Sequence, residues 1–219
     1  RSRAMGRRWL LGTLVTVSGA AALAWEVLWQ IQTALALGAS AHGAALTLAA
    51  TMGGMSLGAY VMGRYAREWP GARALRAYGI SQVCIGCLGW LLVPTFRALE
   101  IFDDRFFSQS PGSVIAVVWI GSLLTVALPA TAMGATLPLI GNGARALGAP
   151  LSRLYGLNTL GAAGGAVAAS FLLIPSLGVT GASHAIAAAN LAIGALALFM
   201  LGTGAAEADL PNAALESAS

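Results

Sequence analysis

Between Arg8 and Arg64 the chain carries a single charged residue, Glu26. A stretch so long and so apolar has no stable place in water. The rest follows suit, with runs of Ala, Leu, Gly and Val separated by short arginine-bearing segments. Charged residues make up 9% of the chain against about 25% in a soluble domain. With a mean hydropathy of +0.77, this composition predicts a polytopic membrane protein. The net charge of +4 comes from 12 arginines against 8 acids, with no lysine. The arginines sit between apolar runs rather than among aromatics, so the basicity points away from a nucleic-acid partner. The 28 glycines suit closely crossing helices, because small residues let backbones approach where lipid supplies no hydrophobic drive.

A span needs about 20 apolar residues, and the charges divide the sequence into six: about 9–35, 44–62, 77–94, 113–140, 152–173 and 181–201. Arginines 1, 3, 7, 8, 64, 67, 73, 76, 145 and 153 fall on one side of such a topology, and only Arg97 and Arg105 on the other. The positive-inside rule then puts both termini in the cytoplasm. The N-terminal RSRAMGRR resembles the start of a signal peptide. The apolar run after it is too long for one, so a retained first helix is expected. On the outer side, Phe96, Leu99, Phe102 and Phe106 recur opposite Glu100, Asp103 and Asp104, which predicts an interfacial helix within 97–112. Residues 1–203 are read as the transmembrane domain and 204–219 as an acidic flexible tail or linker.

Glu26 is the first candidate for function. A carboxylate facing lipid is costly, so it should face other helices or a wet cavity. Trp25 and Trp29 flank it at helical spacing, and Gln30 and Gln32 follow. Its functional reading is a counter-charge for a bound cation, or a proton carrier; the bland one is a helix-end residue near headgroups. The functional reading is favoured, since intramembrane acids tend to be kept for work. In the fifth span Tyr155, Asn158 and Thr159 are polar groups that should face the bundle. Asn158 suits a ligand or an interhelical hydrogen bond.

Other features have structural explanations. Gly54 and Gly58, with Ala50, repeat every four residues, as do Gly161, Gly165 and Ala169; close helix crossing accounts for both sets. Cys84 and Cys87 lie three apart in an apolar segment without further ligands, and are expected to pack inside the bundle. Pro129 is expected to kink the fourth span, and Pro138 to mark its end. His42 and His184 make no metal site by themselves, and packing or interfacial hydrogen bonds suit His184 and Asn190. No nucleotide loop, catalytic triad, zinc-protease or kinase signature occurs, and no cofactor is implied.

Taken together, SGAAALAWEVLW at 18–29, MGGMSLGAYVMGR at 52–64, PATAMGATLPL at 129–139, LYGLNTLGAAGGA at 154–166 and LIPSLG at 173–178, with Asn190-Leu191, resemble the membrane part of fused major-facilitator/spermidine synthase proteins. The pieces come in that family's order and spacing and cover the chain to about residue 201. The resemblance implies that the helices serve a cytoplasmic Rossmann-like domain similar to polyamine aminopropyltransferases. That domain would follow in a longer chain or be supplied as a separate one; its catalytic residues do not lie within these residues. The family often has a basic residue after the position of Trp29, where this chain has Gln30, Ile31 and Gln32.

The expectation is therefore an all-α bundle of six transmembrane helices, both termini cytoplasmic and the fourth helix kinked, in a bacterial inner membrane. Its first functional reading is the membrane module of a spermidine synthase-like protein that binds a small organic cation such as a polyamine. Glu26 would supply the negative charge, Trp25, Trp29 and Tyr155 π-faces, and Asn158 a neutral hydrogen bond. The alternatives are a half-size transporter acting as a homodimer and a structural membrane anchor with no ligand.

Overall fold

Helix breakers set the element boundaries. A computed structural model describes residues 2–201, and among these every element is helical. The helices are α1 (Ser2–Leu37), α2 (Ala41–Tyr65), α3 (Gly71–Trp90), α4 (Leu92–Phe106), α5 (Pro111–Ala146), α6 (Leu151–Ala168) and α7 (Ile174–Leu196). Gly38, at φ 84°, turns the chain out of α1. Ser40 then caps α2, its Oγ accepting from the Gly43 N–H at 3.1 Å. Pro70 and Pro150 stand immediately before α3 and α6, and Pro111 opens α5, where a missing N–H costs nothing. One π-helical turn, Ala169–Leu173, joins α6 to α7, and another, Ala197–Leu201, follows α7. The tail expected over 204–219 lies outside the described residues.

Five continuous helical runs are long and apolar enough to cross a membrane: Met5–Leu37, Ala41–Tyr65, Gly71–Phe106, Pro111–Ala146 and Leu151–Phe199. Two sequence expectations change here. The fourth span does not end at Pro138, because α5 continues to Ala146 with both Pro129 and Pro138 inside it. Losing one N–H there is outweighed by packing, since Leu139, Ile140 and Ala144 beyond the proline are all core residues. Cys84 and Cys87 do not pack in the bundle either; both are exposed on α3. The neighbouring Gln82, Ile85 and Gly86 take the buried face. The helix expected in the outer segment is present as α4, which continues α3 after the single residue Leu91. Phe96 faces inward, and Leu99 lies over Gly121 of α5.

Glycines set the two most extensive interfaces, α2 with α5 and α1 with α6. A methyl group on Gly54 would meet the Ala127 carbonyl oxygen at 2.6 Å, and one on Gly58 that of Thr131 at 1.9 Å. Across the molecule, one on Gly161 would meet the Thr16 oxygen and one on Gly165 the Ala20 oxygen, both at 2.0 Å. In each interface two glycines four apart land on two carbonyls four apart. Between α3 and α7, Gly79 and Gly194 face each other, with Gly79 against Leu198 and Gly194 against Val83 as reciprocal contacts. At these glycines α1 and α5, α2 and α6, and α3 and α7 are counterparts.

Candidate functional site

The polar residues that the helices bring together lie at the heart of this arrangement. Gln82 of α3 and Asn190 of α7 are buried, as are Ser18 and Trp25 of α1. Trp25 Nε1 donates to Asn190 Oδ1 at 2.9 Å, and Asn190 Nδ2 donates to Gln82 Oε1 at 2.6 Å. Gln82 Nε2 then donates to Ser18 Oγ at 2.5 Å. The chain runs in one direction across three helices and gives four buried polar groups partners that lipid could not supply. The Tyr78 hydroxyl lies beside Ser18 and Gln82. It is fully buried and has no hydrogen-bond partner among the described residues.

Ser18, Gln82 and Asn190 form one wall of a cavity of about 410 Å3 enclosed mainly by α1, α2, α5 and α6. Asn158 and Tyr155 line it from α6, and Met52, Met55 and Met133 add soft apolar surface. Gly134 also lines it. The proline four residues on, Pro138, has no N–H to donate to the Gly134 carbonyl.

A groove of about 510 Å3 continues the cavity toward one end of the bundle, sharing Ala59, Leu137, Leu151 and Tyr155 with it. Arg67 and Arg145 line this groove. Arg145 Nη2 donates to Asn142 Oδ1 at 2.7 Å, and Asn142 Nδ2 donates to the Ala66 carbonyl, tying the ends of α5 and α2 together. Among the described residues no carboxylate lines either space. The cavity's volume suits a small molecule, and its lining is mainly aliphatic and thioether, with a few amide and hydroxyl groups inside and guanidinium at the mouth.

The candidates from sequence are distributed unevenly around this site. Tyr155 and Asn158 line the cavity, Tyr155 at its open side with 59% of its surface exposed. Asn158 is half-buried and has no hydrogen-bond partner among the described residues. Trp25 and Trp29 are sealed in the core with their rings stacked at 6.2 Å, and neither lines the cavity. Trp25 reaches the site through Asn190 alone. Glu26 is half-buried, and no ion pair or hydrogen bond holds it among the described residues. Ser18 and Ala22 line the cavity, and Glu26 lies four residues further along the same stripe of α1, one turn past the cavity. His184 stacks on Trp90 at 4.6 Å, well away from this site.

Gln82 was not singled out in the sequence, although an amide amid apolar residues carries the same signal that marked Asn158. What it lacked was any indication that α3 turns this face toward α1 and α7. Comparison with models of protein families, with curated proteins and with solved structures finds no match to this chain.

Proposed function

We propose that the chain is the membrane module of a small-solute carrier, with the cavity between α1, α2, α5 and α6 as its binding site. One observation carries this reading: a mainly apolar cavity that holds Ser18, Gln82, Asn158 and Asn190 in its lining continues into a groove lined by two arginines. Irregular or polar surface at membrane depth survives where it lines a water-filled space, and such spaces are where carriers hold their cargo. A neutral or anionic solute with both apolar and polar parts fits the lining better than a bare cation, because among the described residues no acid lines the space. The open side beside Tyr155 suits a homodimer in which two half-size bundles enclose one pathway.

The topology belongs to the same proposal. The run Leu151–Phe199 has 49 residues, about 73 Å of helix against roughly 30 Å of hydrocarbon. Its backbone leaves the helical region at Gly178 (φ 68°, ψ 175°). Two crossings hinged there bring the total to six, with arginine-rich ends facing the cytoplasm and a bend of α5 at Pro129. The resemblance to the spermidine synthase fusions supports a bacterial inner membrane and a Rossmann-like partner.

A second reading rests on Glu26. An unpartnered carboxylate one turn beyond the cavity suits a small organic cation such as a polyamine. Uptake into proteoliposomes separates the two. A panel of radiolabelled neutral amino acids and small carboxylic acids should include a solute whose uptake is lost in Asn158→Ala and kept in Glu26→Gln. Uptake of spermidine alone, abolished by Glu26→Gln, would transfer the function to the second reading. No flux of any compound would leave an anchor.

A further inference from the structure

A second space, between the first turns of α1 and of α6, gathers positive charge with nothing negative to answer it among the described residues. It is a crevice of about 620 Å3 that shares only Leu154 with the first cavity. Arg8 lines it from α1 and Arg153 from α6. The Arg153 guanidinium lies 5.1 Å from the centre of the Trp9 ring, which fixes where its charge sits. No Asp or Glu lines the crevice, and neither arginine pairs with a carboxylate among the described residues.

The crevice changes character with depth. Gly12 and Thr16 follow Arg8 at four-residue steps along α1, and Leu157 follows Arg153 on α6. They carry it down the interface of two membrane-crossing runs. Thr16 Oγ1 donates to the Gly12 carbonyl at 2.9 Å, so its proton is already committed. Thr13 is likewise committed to the Trp9 carbonyl, leaving the guanidinium groups as the donors at the mouth. Paired arginines match phosphate oxygens in charge and geometry. A soluble phosphate would occupy the mouth and leave the floor beneath it without apolar cover. A molecule with an anionic phosphate at one end and a hydrocarbon chain at the other fills both parts.

We propose that this crevice binds an anionic phospholipid, its headgroup phosphate held between Arg8 and Arg153 and an acyl chain lying along Gly12, Thr16 and Leu157. The site is independent of the solute cavity. Basic pockets between spanning helices recognise such headgroups, with each arginine contributing on a scale that makes loss of both worth roughly 30-fold in affinity.

The test uses the full chain purified in detergent, with thermal unfolding and native mass spectrometry as readouts. Phosphatidylglycerol should raise the melting temperature and stay bound in the gas phase, whereas phosphatidylcholine and inorganic phosphate should do neither. Arg8→Gln with Arg153→Gln should shift the phosphatidylglycerol midpoint by roughly 30-fold, and Arg105→Gln on α4 should leave it unchanged. Arg153→Lys, which keeps the charge and loses the guanidinium's fork of donors, should fall between. Both arginines are exposed, so the lipid-free melting temperature of the variants should match the parent. Equal stabilisation by phosphatidylcholine, full stabilisation by inorganic phosphate, or an undiminished response in the double variant would each overturn the proposal.

Discussion

Asn190 holds two groups that have no other partner: the Trp25 indole N–H and the Gln82 carbonyl oxygen. Asn190→Leu strands both, and a buried unpaired group costs about 1–3 kcal/mol. The indole cannot adapt, since it donates and never accepts. Trp25→Phe removes that donor, so Trp25→Phe combined with Asn190→Leu should be less destabilising than the two changes added together. Unfolding in mixed micelles should show a coupling of at least about 0.5 kcal/mol; strict additivity would mean that the hydrogen bond contributes nothing. Asn158 offers the opposite case. With no partner to lose, Asn158→Ala should change stability by less than about 0.5 kcal/mol while abolishing uptake of any solute that the cavity takes. Of the three polar residues expected to face the bundle from α6, Asn158 lines the cavity half-buried and Tyr155 lines its open side largely exposed. Thr159 is exposed, its hydroxyl turned back onto the Tyr155 carbonyl. The Trp25–Asn190–Gln82–Ser18 chain was not legible in the sequence, because its members come from three helices whose mutual rotation is a property of packing.

At the level of helices, the four-residue glycine repeats were readable as smooth crossing faces, and the structure uses them so. The sequence did not reveal which glycines matter. Gly134 would place a methyl 1.9 Å from the Met55 carbonyl oxygen, whereas Gly164 on α6 has nothing within 4 Å of the same position. Gly134→Ala must therefore push α5 from α2 or fail to fold, and a loss of about 1–3 kcal/mol is expected. Gly164→Ala should be neutral or stabilising by up to about 1 kcal/mol through helix propensity. Thermal melts of the two variants in detergent check the contrast, and equal effects would mean that the α2–α5 interface is looser than drawn here. The expectation that the helix ends at Pro138 failed for a related reason. Sequence rules treat a proline as a local break, but α5 is held on both sides by packed neighbours beyond Pro138. The exposure of Cys84 and Cys87 shows the same limit, since an apolar segment does not announce which stripe faces its partners.

For the whole molecule, the matched interfaces bear on how often the chain crosses the membrane. If α5, α6 and α7 repeat the arrangement of α1, α2 and α3, the second unit must contain as many crossings as the first. An odd number of crossings per unit inverts the second relative to the first. The run Leu151–Phe199 must then return across the bilayer rather than lie along it, and Gly178 is the point where its backbone leaves the helical region. Ser152 near the start of α6 and Ser176 beside the break are both exposed, so either can carry a reporter thiol without disturbing the core. In a background with Cys84→Ala and Cys87→Ala, Ser176→Cys should react with a membrane-impermeant maleimide added to intact cells. Ser152→Cys should react only after the membrane is opened. Labelling of both from the same side would place the start of α6 and the Gly178 break in one leaflet. The pairing of helices would then be a feature of packing without a matching topology, and a carrier built from two inverted halves would no longer follow from it.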